Sequence, residues 1–374
     1  MKRILALCAV CAIIASCAPK SEINLMPAED FVTVVDGKDV ALYTLKNADL
    51  TMQVTNFGAR VVSLWTPDRN GNHEDIVLGY NNIDQYVNNP GERFLGAVVG
   101  PYANRIANGT YTIDGQVYTF PQNNNGQTLH GGLKGVDMVV WDVVAVTDSS
   151  ILLSYLHPDG QDGMPGNLKI DMTYTLTADN EFKVEYVAET DKATHVNMSH
   201  HSFFNLKGEG NGTVNDHVLM IRASRTTPVD EVLIPYGTIV DVEGTPFDFR
   251  EPKEIGRDLD MDDQQLRNGA GYDHNWVLDK QSCCDVELAA SVYDPSTGRY
   301  MEVYTDQPAL QFYGGNFFDG STCGKYGRPL RYRESIALET QKYPDSPNHD
   351  NFTDTLLRPG EKYEHVCIYR FGTK

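Results

Sequence analysis

Apolar and polar residues alternate in two neighbouring segments of the chain, and this alternation limits the possible folds more than any other feature. In the segment 169–177 every second residue is apolar, and the segment 181–188 repeats the pattern. A period of two is typical of a β-strand that buries one face. The polar dipeptide Asp179-Asn180 separates the two segments, so we predict a β-hairpin here.

Turn signals and strand-like runs dominate the rest of the chain, and helical signals are few. Asp114-Gly115 separates two further strand-like runs and predicts a second hairpin. Residues 83–88 and 258–267 are the candidates for short helices. The sequence therefore predicts an all-β protein, a large antiparallel β-sandwich with few short helices, in one domain over residues 30–374. Large sandwiches carry ligand clefts on a concave sheet face.

The acidity of the chain limits the kinds of partner that it can bind. Its 374 residues include 51 Asp and Glu against 31 Lys and Arg, a formal net charge of −20. Because a nucleic-acid backbone requires clustered Lys and Arg, we expect no nucleic-acid partner. A basic membrane-binding surface is disfavoured for the same reason, whereas a neutral ligand such as a sugar is compatible with this charge.

The first 17 residues have the features of an export signal. Lys2 and Arg3 precede an apolar run over residues 4–15, which is too short to cross a bilayer as a mature helix. The run ends with Ile-Ala-Ser-Cys at 14–17, which resembles the lipobox of bacterial lipoproteins. The resemblance implies cleavage before Cys17, acylation of Cys17, a tether over residues 18–29, and a lipoprotein of the cell envelope, periplasmic or anchored at the outer membrane. A plain secretory signal with an incidental cysteine is the alternative.

Four cysteines remain after the signal segment, and they do not form a disulfide framework. They are Cys283, Cys284, Cys323 and Cys367. Four cysteines are too few for a disulfide scaffold in a chain of this length, and these four do not form the two spaced Cys-x-x-Cys pairs of a zinc site. We therefore predict free, buried thiols.

A lone carboxylate, Glu339, lies inside the apolar run 335–341. The run predicts a strand that ends in the Pro- and Asn-containing turn at 342–348. A half-buried carboxylate at a strand end loses hydration, and desolvation raises its pKa toward the range that suits proton transfer. From this segment alone a salt-bridged structural Glu is the simpler interpretation, and histidines elsewhere in the chain reverse it.

Two glycine-rich segments carry side chains that can bind hydroxyl groups. Residues 100–109 present Asn104 and Arg105 side by side, an amide and a guanidinium that together can bind vicinal hydroxyls. Residues 129–135 place His130 among glycines that permit close backbone approach. A structural Arg bonded to backbone carbonyls and a surface His are the alternatives.

A histidine-rich segment, 195–206, offers a general acid. His200 and His201 are adjacent, so in a strand they face opposite sides, and at most one of them lines a site. Imidazole titrates near neutrality and suits this role. A core histidine is the alternative, while a zinc site formed together with His195 fits no ligand spacing known to us.

Two later segments supply further polar side chains. Asp273 can accept hydrogen bonds from sugar hydroxyls, and Gln311 precedes a glycine turn and offers an amide contact. A turn Asp that caps backbone amides is the alternative for Asp273. None of these segments decides the function singly.

Taken together and in this order, the motifs resemble the aldose 1-epimerase (galactose mutarotase) family from about residue 30 to the C-terminus. Six blocks carry the resemblance: GPYANRI at 100–106, LHGG at 129–132, HSFFNL at 201–206, YDHN at 272–275, LETQ at 338–341 and LRPGE at 357–361. Any one block could arise by chance, whereas all six in sequence are specific.

The resemblance implies a β-sandwich of the galactose mutarotase type. It also implies an isomerase that interconverts the α and β anomers of aldohexoses, such as glucose and galactose, with no cofactor and no metal. Matched position by position, Glu339 is the catalytic base and His201 the catalytic acid. Five further side chains match sugar-contacting positions: Asn104, Arg105, His130, Asp273 and Gln311. We expect a monomer that binds a small sugar and reaches the membrane through its lipid anchor only.

One position departs from the family's pattern, since His200 stands where members usually have Asn before the catalytic His. Strand alternation predicts that His200 faces away from the cleft and affects packing rather than chemistry. A bulge in the strand would exchange the roles of His200 and His201.

Two other functions could use the same features. A glycoside hydrolase on a similar sandwich requires two carboxylates that flank the scissile bond, and only Asp273 could be the second one. A non-catalytic surface protein would bind sugar without accelerating mutarotation. The pairing of Glu339 with His201 favours the epimerase, because ring opening needs one base and one acid on opposite sides of the sugar.

Overall fold

The structure is a computed structural model that describes residues 23–88 and 91–374. The expected signal segment, the lipidation site Cys17 and residues 18–22 of the expected tether lie outside the described residues. Within the described part of the chain, none of the helices is long and apolar enough to cross a membrane.

Strands are the main regular secondary structure of the described chain, and many of them are short. In the N-terminal third they are β1 Thr33–Val35, β2 Lys38–Val40, β3 Leu42–Lys46, β4 Thr51–Thr55, β5 Arg60–Pro67, β6 His73–Asp75, β7 Ala97–Val99, β8 Arg105–Ile106, β9 Thr110–Ile113, β10 Gln116–Thr119 and β11 Thr128–Leu129. In the middle they are β12 Asp142–Val146, β13 Ser150–His157, β14 Leu168–Leu176, β15 Glu181–Thr190, β16 Thr194–His195, β17 Ser199–His201, β18 Phe203–Phe204, β19 Val218–Ile221, β20 Arg225–Thr227, β21 Val240–Asp241 and β22 Lys253–Glu254. In the C-terminal part they are β23 Asp273–Val277, β24 Glu287–Tyr293, β25 Arg299–Thr305, β26 Ala309–Tyr313, β27 Ile336–Gln341, β28 Leu356–Leu357 and β29 Tyr363–Thr373.

Two large antiparallel sheets form the body of the protein and confirm the predicted all-β architecture. One has nine strands in the order β12-β13-β14-β15-β29-β25-β24-β19-β22, and the other has six in the order β18-β27-β26-β23-β20-β21. The predicted hairpin between residues 169 and 188 is confirmed as β14 and β15, which pair from Leu168↔Thr190 to Leu176↔Phe182. The hairpin at Asp114-Gly115 is confirmed as β9 and β10.

The main apolar core lies between these two sheets. Alternate residues of β14 and β15 supply Met172 and Val184 to it, and the six-stranded sheet supplies Phe312 and Leu338. Burying one such side chain contributes about 1.5–3 kcal/mol. The two sheets are also joined by polar contacts, since the hydroxyl of Tyr369 in β29 donates a 2.9 Å hydrogen bond to the carbonyl of Leu338 in β27.

Helices are few and short, as the sequence indicates. The helix predicted over residues 83–88 is confirmed as α1, Ile83–Asn88. The helix predicted over 258–267 is wrong as a single element, since it divides into a 3₁₀ turn, Ile255–Asp258, and α2, Gln264–Asn268. The reason is that the Asp263 side chain accepts hydrogen bonds from the Gln265 and Leu266 amides and therefore begins a new helix after residue 263. Six other 3₁₀ turns occur in the described residues: Ala28–Phe31, Ala107–Gly109, Val136–Met138, Gln161–Gly163, Lys325–Gly327 and Ser346–Asn348.

The four cysteines of the described residues are free thiols, but the prediction that they are buried is wrong for three of them. Cys367 lies in the core on β29, whereas Cys283, Cys284 and Cys323 are exposed in loops. Adjacent cysteines in a polar loop have no apolar strand to bury them, and the sequence around 283 and 284 has no period of two.

A fully buried lysine fixes the loop that precedes β27. The ammonium group of Lys325 lies 3.0 Å from Asp75 Oδ2 and 3.1 Å from Glu209 Oε2, and it donates hydrogen bonds to the carbonyls of Val62 and Val77. Burial raises the pKa of Glu209 to about 7, although Lys325 acts in the opposite direction. The lysine therefore compensates two carboxylates that have almost no contact with water.

We predict that Lys325→Met lowers the free energy of unfolding by about 3–5 kcal/mol, because it leaves two buried carboxylates without a counter-charge. Urea unfolding followed by circular dichroism measures the change. Lys169→Met is the matched control, since Lys169 pairs with Asp171 at a half-exposed site where such pairs contribute about 0–1 kcal/mol. Equal effects of the two substitutions would contradict the prediction.

Candidate active site

The six-stranded sheet brings polar side chains to the face that lies opposite the core. Asn275 of β23, Gln311 of β26 and Glu339 of β27 occupy one row of paired positions. Side chains alternate across a strand, so Leu338 and Thr340 face the core and Glu339 faces away from it. The predicted strand around Glu339 is confirmed, and only 2% of this residue is exposed.

The short strand β17 places His201 beside β27. The Ser199 hydroxyl donates to the carbonyl of Thr340 at 2.9 Å and so ties the two strands together. His200 faces the opposite side, where its Nδ1 lies 3.0 Å from the Tyr174 hydroxyl and its Nε2 lies 2.7 Å from the Ser202 hydroxyl. The prediction that His200 faces away from the cleft is confirmed, and the register of β17 with β7 contains no bulge.

His201 and Glu339 face each other closely. Nε2 of His201 lies 3.5 Å from Oε1 of Glu339, which is longer than a good hydrogen bond. Two further atoms, His201 Nδ1 and Glu339 Oε2, are buried and have no hydrogen-bond partner among the described residues. Buried polar atoms without partners are costly in a folded protein, so they are typical of a site that a ligand completes.

Burial shifts both groups toward their neutral forms. It raises the pKa of Glu339 well above the usual 4.5, and the nearby Asp273 adds to this shift while Arg105 opposes it. Burial also lowers the pKa of His201 to about 3. Coulomb attraction across 3.5 Å acts in the opposite direction and favours the ion pair. Burial and mutual attraction therefore act in opposite directions on the placement of the proton that the pair shares.

Asn104 and His130 hold each other through two hydrogen bonds. The amide of His130 donates to the carbonyl of Asn104, and the amide of Asn104 donates to Nδ1 of His130, each at 3.0 Å. Both residues have positive φ, 61° and 50°, which orients their side chains from tight turns. Because Nδ1 accepts a hydrogen bond, Nε2 of the neutral ring carries the hydrogen. Burial lowers the pKa of His130 well below 6.5, with His201 and Arg105 adding to the shift, so this ring is a neutral donor.

The same tautomer argues against a metal ion at this place. His130, His201 and Glu339 can bring three ligand atoms within 4.8 Å of one another, as a metal site requires. A metal ion binds imidazole through an unprotonated nitrogen, and Nδ1 of His130 is already committed to the amide of Asn104. His130 would have to lose its Nε2 proton to act as a ligand.

Asp273 faces the same space from β23. Its Oδ1 accepts a 2.7 Å hydrogen bond from Nε2 of Gln311, and its Oδ2 lies 4.0 Å from Nη2 of Arg105. Burial raises the pKa of Asp273, and Arg105 and Gln311 oppose the shift. Gln311 lies behind Asp273 rather than in the wall of the cavity, so its direct contact with a sugar stays a prediction.

These groups surround one open cavity of about 310 Å³. Six of the seven residues predicted for catalysis or sugar binding line it: Asn104, Arg105, His130, His201, Asp273 and Glu339. The arrangement brings together residues from five separate segments of the chain. It offers a carboxylate and an imidazole for proton transfer, together with neutral and charged hydrogen-bond donors and acceptors around a space for a polar ligand.

Several cavity residues escape the sequence analysis. The ring of Phe94 packs edge-on against His130 at 4.6 Å and lies 5.9 Å from His201, so it excludes water from both imidazoles. Tyr313 and Phe317 stack at 5.8 Å and form an aromatic wall. They lie within the segment around Gln311, whose aromatic residues could have been recognised as candidates for the cavity wall. Phe94 lies in a segment that has no such pattern.

Arg93 joins the two loops that carry the cavity's histidine and phenylalanine. It binds Asp137 through two hydrogen bonds of 2.7 and 2.8 Å and also donates to the carbonyl of Gly132. Arg60, which is fully buried, donates to the carbonyls of Arg93 and Asp137. Bidentate pairs of this kind hold a fixed geometry, so the wall around Phe94 is rigidly connected to the loop after His130.

The chain belongs to the aldose 1-epimerase family, whose sequence profile matches residues 41–370. Among curated relatives, the galactose mutarotase of Rattus norvegicus is 40% identical over 336 residues, which cover 90% of this chain and 95% of the relative. The aldose 1-epimerase of Escherichia coli is 39% identical over 339 residues, 90% of this chain and 96% of the relative.

Solved structures agree with this membership. An aldose epimerase homologue from C. elegans superposes with a TM-score of 0.82 at 32% identity and covers 89% of this chain and 99% of its own. The galactose 1-epimerase from Lactobacillus acidophilus gives a TM-score of 0.79 at 29% identity and covers 91% of this chain and 97% of its own. The resemblance noted in the sequence motifs is thus confirmed over nearly the whole described chain.

Proposed function

We propose that this protein is an aldose 1-epimerase that interconverts the α and β anomers of aldohexoses, with glucose and galactose as the first substrates to test. The buried pair of Glu339 and His201, which faces a cavity lined by hydroxyl-binding groups, carries the proposal. The names of the relatives, galactose mutarotase and aldose 1-epimerase, support the same activity.

Anomer exchange needs one base and one acid at the same time. Glu339 takes the proton of the O1 hydroxyl while the imidazolium of His201 protonates the ring oxygen, and the C1–O5 bond breaks. Rotation about C1–C2 then presents the other face of the aldehyde. On ring closure His201 recovers its proton from the O5 hydroxyl and Glu339 returns its proton to O1, so the pair ends in its initial protonation state.

The surrounding groups suit the task of holding the sugar. The neutral His130 offers an Nε2–H donor and Arg105 offers a fixed guanidinium, and both support binding on the ring-oxygen side. Asp273 can accept hydrogen bonds from the distal hydroxyls. Because such buried groups would be left unpaired by a sugar that lacks the matching hydroxyl, they favour selection among aldoses.

We predict that Glu339→Gln and His201→Asn each lower kcat by about 10²–10⁴-fold, because each removes one positioned proton transfer. Polarimetry on freshly dissolved α-glucose or α-galactose measures the rate above the spontaneous one. His200→Asn is the matched control, and it should keep nearly full kcat and lower only the thermal midpoint, since His200 contacts Tyr174 and Ser202 in the core. Near-full activity of either first variant would refute the assignment, and sugar binding without rate enhancement by the wild type would indicate a binding protein.

The pH profile follows from the two pKa shifts. The pair holds one proton in its active state, and a second proton inactivates it because neither group is then left as the base. Because burial lowers the pKa of His201 to about 3, this loss lies far below the ordinary value of about 6.5. The pair keeps its first proton up to a pKa that burial raises above the usual 4.5 of a Glu. The loss of activity on the alkaline side therefore lies at a higher pH than for an exposed Glu.

We therefore predict that kcat/KM does not decrease as the pH falls from neutrality through about 6.5. Polarimetry across this range, corrected for spontaneous mutarotation in each buffer, measures it. A tenfold decrease per pH unit beginning near 6.5 would show instead that His201 titrates as a solvated imidazole.

We further propose that the protein is a lipoprotein of the cell envelope, anchored through Cys17. The charged residues at 2 and 3, the apolar run over 4–15 and the Ile-Ala-Ser-Cys sequence at 14–17 support this location. Expression of the full chain in a bacterial host with labelled palmitate should label the wild type and leave Cys17→Ser unlabelled. Labelling of both forms, or of neither, would contradict the anchor.

A further inference from the structure

A second row of residues lies next to the catalytic row on the same face of the six-stranded sheet. In the row that contains Glu339, the pairing runs Glu339↔Gln311, Gln311↔Asn275 and Asn275↔Thr227. Two residues further along each strand, the pairing continues as Gln341↔Ala309, Ala309↔Val277 and Val277↔Arg225. Because side chains repeat every second residue, this second row faces the same side as Glu339.

The second row borders a separate cavity of about 460 Å³ that is lined by cations. Arg225, Lys280 and Lys342 line it, and none of the other lining residues is an Asp or Glu. Among the described residues, none of these three cations forms an ion pair with a carboxylate. Lys280 donates to the carbonyls of Asp285 and Thr305, and Lys342 donates to that of Asp354.

The carboxylates closest to these lysines are committed elsewhere. The single amide N–H of Val366 is shared between the two oxygens of Asp306, and Glu287 accepts from the amides of Gln281 and Ser282, while both carboxylates still act on Lys280 through space. Asp354 accepts from the amide of Leu356. In a chain with a net charge of −20, three cations that share one cavity without a carboxylate in its wall are an exception that calls for an anion.

The cavity also has an apolar side and further donors. Val277, Leu278, Pro308 and the ring of Tyr343 supply apolar surface. Partial burial lowers the pKa of both Lys280 and Lys342, carboxylates outside the cavity lining oppose that shift, and an anion in the cavity would oppose it further. Guanidinium and ammonium groups arranged around one space match the several oxygens of a phosphate group.

We propose that this cavity is a second binding site, distinct from the sugar site, for a small organic phosphate. The phosphate group lies among Arg225, Lys280 and Lys342, and its organic part packs against Pro308 and Tyr343. The cavity does not share any lining residue with the catalytic cavity, so the two ligands bind at the same time.

Isothermal titration of the full chain with phenyl phosphate tests the site, with phenol as the uncharged analogue. Phenyl phosphate should bind and phenol should not. Arg225→Gln and Lys280→Gln should each weaken binding about tenfold, because each removes a charge-assisted hydrogen bond. Arg358→Gln is the matched control, since it removes one exposed cation that pairs with Asp114 elsewhere on the surface.

Saturating galactose separates this site from the sugar site. Undiminished binding of phenyl phosphate in its presence supports the proposal, and displacement by galactose overturns it. Equal affinities of Arg225→Gln, Lys280→Gln and Arg358→Gln, or equal binding of phenol, would also overturn it. None of these outcomes depends on mutarotase activity, so the test of this site can fail or succeed independently of the proposed function.

Discussion

The burial of a carboxylate beside an imidazole is the constraint on which the rest of the site depends. Glu339 is 2% exposed, and the imidazole of His201 lies 3.5 Å from it. Removing an ionised carboxylate from water costs several kcal/mol, so the two packed sheets must offset this cost through their apolar core. The same desolvation brings the ionised and neutral forms of the pair close in free energy, and proton transfer in both directions requires this.

A pair of this kind functions only if its surroundings are rigid. Glu339 lies inside a strand that is paired on both sides, and Ser199 ties the strand of His201 to the same place. Phe94 covers two imidazoles, and the bidentate contact of Arg93 with Asp137 holds that phenylalanine against the loop of His130. The apolar side of the cavity at Phe94 and its hydrogen-bonding side at His130 are therefore connected by these contacts.

The features that the sequence predicted correctly are those that depend on residues close together in the chain. The hairpin of β14 and β15, the strand of Glu339 and the opposite orientations of His200 and His201 all follow from a period of two, and the structure confirms each. The position of Gln311 behind Asp273 depends instead on the register of β23 with β26, because the two hydrogen-bonded residues are 38 positions apart in the chain. The contact of Arg93 with Asp137 spans 44 positions, and no short motif announces it. The sequence motifs mark six residues that line one cavity, while the contacts that position these residues arise from tertiary pairing.

The sheet register also explains how one face can present two opposite electrostatic environments. The cavity that contains Glu339 is lined by three carboxylates, those of Glu92, Asp273 and Glu339, and by the guanidinium groups of Arg93 and Arg105. One row further along, the wall changes to cations and apolar side chains, and a 3.1 Å hydrogen bond from Gln341 to Asn275 lies between the two rows. A neutral sugar is suited to the first environment because an additional anion there would be repelled by carboxylates whose pKa values burial already raises. An anion is suited to the second for the converse reason. The separation of charge along the strands therefore allows two ligands to be distinguished on one face without any domain boundary between them.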